Sequence, residues 1–443
     1  MMKGKTIFSI ILIILLFLPA GCGKEQVQTT DYVQTNPSTK GMNGIMKSET
    51  GYYYSTTSTS DSDNGKMSLH YFDEASGQNI YLCSKPECRH DGDAFCTATS
   101  NKYSIHSSCF YDGSLYLSVL EATGEEYLLK LLRVSADGSE LTEVVTFLKM
   151  NTASLMSLVG GEQIMIHRDV AVLPYYFINI GETNATGNIV SIMGTCLYNL
   201  ATGELTELPE IKTDELMGGR ERFTGYGDYI YYNTKIDRKN TLSRYCLTDG
   251  TVEDLNLLRT YTGLYEVMDE DTVYYYYNAA KDRLYEYKIS TKESTKLDKI
   301  FIDNYEKYIP SVDLVVSSSE PYECTDMVTD GTYLYAGDGV DFHTMQKGNF
   351  GYLTYDDGTQ EEQKNYVHVY DKDLAEVARV EISTKTYLGD FEYFSLAILD
   401  GMVYMQTKSV VLACTLEEFL KGGQPPFEPV YEHQDIEYLK VIQ

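Results

Sequence analysis

The 443-residue chain carries 36 Lys and Arg against 65 Asp and Glu, a formal charge of −29. Such acidity argues against nucleic acid and anionic lipid headgroups as direct partners, because neutralising phosphates needs a basic face. With 43% hydrophobic and 23% charged residues the composition is that of a packed globular protein. The 40 Tyr, with no Trp at all, bias it toward strands, whose half-buried pleated surfaces suit a flat amphipathic ring.

Lys3 and Lys5 precede an apolar run from Ile7 to Leu18, IFSIILIILLFL. That run is too short to span a bilayer and fits the hydrophobic part of an export signal. Pro19-Ala20-Gly21-Cys22 follows and resembles a bacterial lipobox, with Pro19 where an aliphatic residue is usual. The resemblance implies a signal peptide over residues 1–21 and diacylation of Cys22, which attaches the chain to the extracytoplasmic face of a bacterial membrane. An ordinary secretory signal cleaved nearby is the competing reading. Residues 22–40 are rich in Gln, Thr, Asn, Ser and Gly. They bury too little to offset their ordering entropy and read as the lipidated cysteine and a flexible tether. Residues 41–443 then form one domain.

Within that domain one local pattern recurs: a turn of Gly with Asp or Glu, then a strand of alternating aromatic and aliphatic residues. Its turns are Glu49-Thr50-Gly51, Asp112-Gly113, Gly160-Gly161, Gly227-Asp228, Asp269-Glu270, Asp330-Gly331 and Asp400-Gly401. Turn residues that tolerate positive φ between such runs are a hairpin signal. Weaker strands follow, among them Leu69 to Phe72, Leu197 to Leu200, Leu284 to Ile289 and Val367 to Tyr370. Four strands per unit and no long amphipathic helix predict an all-β chain, a single β-propeller of four-stranded blades. The turns make it seven-bladed, with six or eight blades as alternatives. Residues 435–442 read as one more strand, pairing with the first or last blade to close the ring. A stack of β-sandwiches would need linkers, and none interrupts residues 41–443.

Without Trp the chain lacks WD dipeptides, sialidase-type Asp-boxes and tryptophan-docked blades. It is similar instead to the Tyr- and Asp-Gly-rich propellers of exported bacterial lipoproteins. The segment from Tyr81 to His90, YLCSKPECRH, closing at Cys96, resembles a group of uncharacterised lipoproteins from Gram-positive anaerobes. The resemblance implies the address and the propeller, and no activity.

Cys83, Cys88, His90 and Cys96 form C-x4-C-x-H-x5-C, the only concentrated chemistry in the chain. Three thiolates and an imidazole make a complete tetrahedral set for one structural zinc. A disulfide is the equal rival in an exported protein, and it leaves one thiol over. Cys109, Cys196, Cys246, Cys324 and Cys414 lie singly in apolar strand segments and read as small core residues. The cluster falls between the first and second repeats, which places it among the interblade connections.

No catalytic constellation is visible: the seven His show no HExxH pattern, and no G-x-S-x-G elbow appears. Insertions are more informative. Segments 168–194, 301–322 and 337–365 all map to one end of the blades, and lopsided loop elaboration on a repeat scaffold marks a binding face. Tyr175, Tyr176, Tyr305, Tyr308, Phe342 and Tyr352 are its candidate ligand-binding rings. The expected function is a monomeric, membrane-anchored binding module for an extracellular protein, peptide or glycan. The alternative is a glycan-active enzyme with paired carboxylates at the channel mouth.

Overall fold

The computed structural model describes residues 34–35, 45–57, 67–90, 96–151, 155–159, 164–183, 189–209, 211–213, 223–236, 239–257, 264–277, 283–297, 301–309, 314–321, 324–342, 346–347, 352–354, 360–362, 364–382, 393–407 and 410–432. Residues 1–33, with Cys22, and the expected closing strand at 435–442 lie outside them.

Seven antiparallel sheets of four sequential strands follow one another as the blades of a β-propeller. Blade I is Ile45–Lys47, Gly51–Thr57, Met67–Asp73 and Gln78–Tyr81; blade II is Tyr103–Tyr111, Ser114–Ala122, Glu126–Ser135 and Leu141–Asn151. Blade III uses Met165–His167, Val170–Thr183, Ile189–Asn199 and Leu205–Glu207. Blade IV uses Phe223–Tyr226, Tyr229–Ile236, Lys239–Cys246 and Val252–Asp254. Blade V is Tyr265–Val267, Thr272–Tyr277, Arg283–Lys288 and Glu293–Leu297. Blade VI is Asp326–Thr329, Leu334–Asp338, Asn365–Tyr370 and Glu376–Ile382. Blade VII is Tyr393–Leu399, Met402–Thr407, Val410–Thr415 and Glu428–Glu432. First strands of successive blades are neighbours at the centre, so fourth strands form the outer rim.

The alternation that predicts the strands also builds the ring. Successive side chains point to opposite faces of a sheet, and here each face meets another blade. In blade V, Val273 and Tyr275 pack with Tyr231 and Leu242 of blade IV, whereas Tyr274 and Tyr276 pack with Met327 and Leu334 of blade VI. In blade I, Tyr53 stacks on Phe110 of blade II at 5.1 Å, while its neighbour Tyr52 meets Tyr404 of blade VII edge-on at 6.5 Å. Tyrosine suits this place because the ring is dry and the hydroxyl still finds a partner: Tyr265 donates to Tyr231 O at 3.0 Å and Tyr335 to Asp330 at 2.7 Å.

Six of the predicted turns open the predicted strand, and the third is displaced. Gly160 and Gly161 lie outside the described residues; the tight turn of blade III is Arg168–Asp169, at φ 46° and 63°. Two non-glycine residues carry the left-handed turn that Asp112-Gly113 makes in blade II at φ 43° and 68°. Segment 168–194 is correspondingly no loop. Val170–Thr183 and Ile189–Asn199 run on past the blade as a long hairpin, flanked by Leu155–Val159 and Ile211–Thr213. The other two insertions also carry hairpins, Ile302–Ile309 with Leu314–Pro321 and Tyr352–Thr354 with Gln360–Glu362. By their place in the strand order all three emerge from the same end of the ring. Within the stretch read as tether, Gln34–Thr35 pairs with the innermost strand of blade IV.

Blade VII draws all four strands from the C-terminal stretch and blade I all of its strands from the N-terminal one. The ring closes between them by side-chain packing of Tyr52 and Tyr54 on Ala397, Tyr404, Val411 and Ala413. Replacing Tyr404, 5% exposed at this seam, by alanine is expected to cost about 3–5 kcal/mol of unfolding free energy in denaturant titrations. A loss below about 1 kcal/mol, the scale of a surface change, would mean that the ring is not closed here.

Candidate metal centre

The ligand loop interrupts the outer strand of blade I opposite a single residue of the third strand, Leu69. Leu69 N–H donates to Ala98 O at 2.7 Å, and Leu69 O accepts from Leu82 N–H at 2.9 Å. Both roots are buried, Leu82 at 3% exposure and Ala98 at 0%. Thr99–Ser100 then resumes the pairing with Ser68 and Met67 that Gln78–Tyr81 began with Asp73 to His70. This corrects the placement from repeat spacing. The segment interrupts an edge strand at the rim, because Leu82 and Ala98 both stay in register with the blade.

Within the loop the four expected ligands converge. One ligating atom each from Cys83, Cys88, His90 and Cys96 lies within 4.8 Å of all the others. Cys96 Sγ and His90 Nδ1 are 3.5 Å apart. Cys83 stands at the first root, and a turn bonded Cys88 N–H to Lys85 O at 3.1 Å brings Cys88 back over it. His90 sits at φ 53°, a left-handed backbone that redirects the chain. Cys96 is the buried member, and Cys83, Cys88 and His90 are half-buried. Residues 91–95 lie outside the described residues.

A column of rings fixes the imidazole. His90 stacks on Tyr81 with centroids 4.5 Å apart, Tyr81 tilts over His70 at 4.7 Å, and His70 stacks on Tyr54 at 5.0 Å. The column runs from the blade I–VII core to the loop, so the histidine is oriented by packing before any ion arrives. The thiols are split as well. At Cys83 burial is outweighed by hydrogen bonds from Thr97 and Lys85, which bring its pKa down to about 7. At Cys88 a hydrogen bond from His90 N–H is outweighed by desolvation and by the neighbouring Cys96 and Cys83 sulfurs, which push it up to about 11.

Three sulfurs and one imidazole nitrogen suit a borderline-soft ion in tetrahedral coordination and leave no position for a substrate. Among the described residues all eight cysteines are free thiols. Cys109, Cys196, Cys246, Cys324 and Cys414 are buried core residues as expected, and burial alone pushes the Cys109 thiol far up.

The ring set proposed for ligand binding is not brought to one surface. Tyr175, Tyr176 and Phe342 are 4%, 9% and 3% exposed and belong to the core. The strand Val170–Thr183 turns Tyr175 inward across Gly194, where a Cβ would come within 2.2 Å of the ring. Phe342 N–H is held by Asp326 at 2.9 Å and its ring packs in the blade VI–VII core. Tyr305 and Tyr308 sit on the hairpin strand Ile302–Ile309, and Tyr352 opens the strand Tyr352–Thr354. Sequence reasoning missed Tyr81, Thr97 and Gly138 beside the metal ligands. Only the aromatic at 81, two residues before the first cysteine, carries a hint of its role.

No protein-family model matches the sequence, and no curated protein does. Among solved structures the chain is similar to the acylaminoacyl peptidase of Pyrococcus horikoshii, at 8% identity and a TM-score of 0.45 over 92% of this chain and 54% of that one. It is similar to a prolyl endopeptidase at 11% identity and a TM-score of 0.45, over 89% of this chain and 50% of that one. The β-propeller domain of the Trilobed protease from Pyrococcus furiosus matches at 8% identity and a TM-score of 0.42, over 89% of this chain and 99% of that domain. The chain thus spans about half the length of the two peptidases. At such identities the likeness is one of fold alone.

Proposed function

We propose that this chain is a lipid-anchored, extracytoplasmic binding module, a seven-bladed propeller whose blade I carries one structural zinc ion. The observation that carries the binding role is the lopsided build of the ring. Three insertions, each drawn out into a β-hairpin, emerge from one end of the blades. Blade III, the 302–321 hairpin and the 352–362 hairpin are the proposed contact elements; Tyr175, Tyr176 and Phe342 stay in the core. The partner is an extracellular protein, peptide or glycan. The charge of −29 favours a neutral or cationic one. Deleting the 302–321 and 352–362 hairpins together is expected to leave the melting temperature in place. It should abolish binding of cell-wall oligosaccharides and Lys-rich peptides titrated into the intact domain. Peptide binding, where present, should weaken as salt rises. Undiminished binding after both deletions would remove the assignment.

Zinc rests on the four converging ligands, and their closed set makes it a fastener rather than a catalyst. Protein purified without added metal should carry about one zinc per chain, and Cys96→Ser should lose it. A protein with no zinc and with two of the three cluster thiols blocked to alkylation would instead hold a disulfide.

The anchor rests on Lys3, Lys5, the apolar run and Cys22. Two acyl chains give stable attachment where one is reversible. Cys22→Ser should therefore release the protein to the medium or leave an uncleaved precursor; a variant that stays processed and lipid-labelled would refute the lipobox.

A further inference from the structure

Both roots of the ligand loop rest on the neighbouring blade. The Thr97 hydroxyl is shared between Gly138 O at 2.6 Å and Leu82 O at 3.1 Å. Ser84 N–H also points to Gly138 O, at 3.4 Å, and the Tyr53 hydroxyl of blade I donates to Ala136 O at 3.1 Å. Gly138 and Ala136 belong to the turn between the third and fourth strands of blade II, residues 135–140. Gly138 stands there at φ 67°, and a Cβ on it would fall 2.5 Å from the carbonyl carbon and oxygen of Leu82 and 2.7 Å from Cys83 N. The turn is therefore in backbone contact with the first metal ligand.

It is also stiff on its own. Asp137 Oδ1 accepts from Ser139 Oγ at 2.7 Å, Ser139 N–H at 3.0 Å and Ser135 Oγ at 2.7 Å. Gly138 N–H donates to Ser135 O at 2.8 Å, and Glu140 N–H to Ser135 Oγ at 3.0 Å. The bonds from Ser139 and Ser135 hold the Asp137 carboxyl down at about 2, so it remains an acceptor through neutral and mildly acidic pH.

We infer that this turn is the second half of the metal centre: Gly138 is a positioning residue through which blade II sets the Leu82–Cys83 root, and metal binding in turn fastens blade I to blade II. The inference rests on the zinc reading above. A loop whose roots are already placed loses less conformational freedom when it closes on an ion. Coupling is reciprocal, so whatever docking of the turn adds to metal affinity, the metal returns to docking. Backbone contact that orients a first ligand belongs to the outer support on which metal affinity depends.

The matched control lies in the same blade. Gly113 has φ 68°, nearly that of Gly138, but no atom lies within 4 Å of where its Cβ would be. Gly113→Ala thus carries the same backbone strain without the contact. Zinc affinity of the whole mature domain is measured by competition with a chromophoric chelator. Gly138→Ala is expected to weaken it about 10-fold to 100-fold relative to Gly113→Ala. Thr97→Val should weaken it too, and Thr97→Ser should restore it. Equal affinities for the two glycine variants would overturn the inference. A wild-type protein that binds no zinc would refute the zinc reading separately. Positioning is then read on metal-free protein, from the alkylation rate of Cys83 by iodoacetamide followed by peptide mass spectrometry. Gly138→Ala should raise that rate above Gly113→Ala, and an unchanged rate would overturn the inference whatever the metal does.

Discussion

Apolar packing of blade on blade is the interaction on which everything else here depends. A strand has two faces, and in this ring neither is wet: Tyr52 leaves blade I toward blade VII while Tyr53 leaves it toward blade II. The same split at Tyr274 and Tyr275 joins blade V to both neighbours. A fully buried side chain of this kind contributes about 1.5–3 kcal/mol of transfer free energy. Every blade supplies several to each seam. No blade can bury its two faces alone, so the seven stand or fall as a ring.

Packing satisfies the faces and leaves the edges. Open strand edges invite foreign strands, and among the described residues three blade edges are paired by this chain's own segments. Gln34–Thr35 pairs along the inner edge of blade IV and Gln346–Lys347 along that of blade VII. On the rim, the stretch after the short helix Leu416–Phe419 lies along blade VI, where Gly423 O accepts from Glu381 N–H at 2.7 Å and Gly423 N–H donates to Arg379 O at 2.9 Å. At the outer edge of blade I the loop bearing Cys83, Cys88, His90 and Cys96 interrupts the edge strand itself, between Tyr81 and Thr99. An edge strand tolerates such an insertion without disturbing either packed face.

Ordering in that loop comes from its surroundings more than from its own residues. The Tyr54–His70–Tyr81–His90 column ties the imidazole to the blade I core, and the blade II turn ties the first cysteine to the next blade. Two independent supports converge on four ligands from a short stretch of chain. They gather three thiols and an imidazole that could hold a metal ion.

The strands and the repeat were decided by sequence, because period-two alternation and positive-φ turns are local properties that each repeat states anew; seven turns favour seven blades over six or eight, and the sheet order bears that out. Asp112-Gly113 and Asp400-Gly401 open their strands as read. Where the local signal was missing the reading slipped: Arg168–Asp169 makes the same turn without glycine, and the third repeat was phased one strand early. The four residues that converge and could hold a metal ion were likewise legible in their spacing. Tertiary structure alone decided that Tyr175, Tyr176 and Phe342 are core, since Tyr175 reads as a loop ring until Gly194 is found beneath it. It alone placed the ligand loop on the rim, through one residue, Leu69, that bonds both of its roots. Gly138 shows the limit most plainly. In sequence it is one turn glycine among several, and its contact with Leu82 and Cys83 lies more than 50 residues away along the chain, a distance that no local pattern spans.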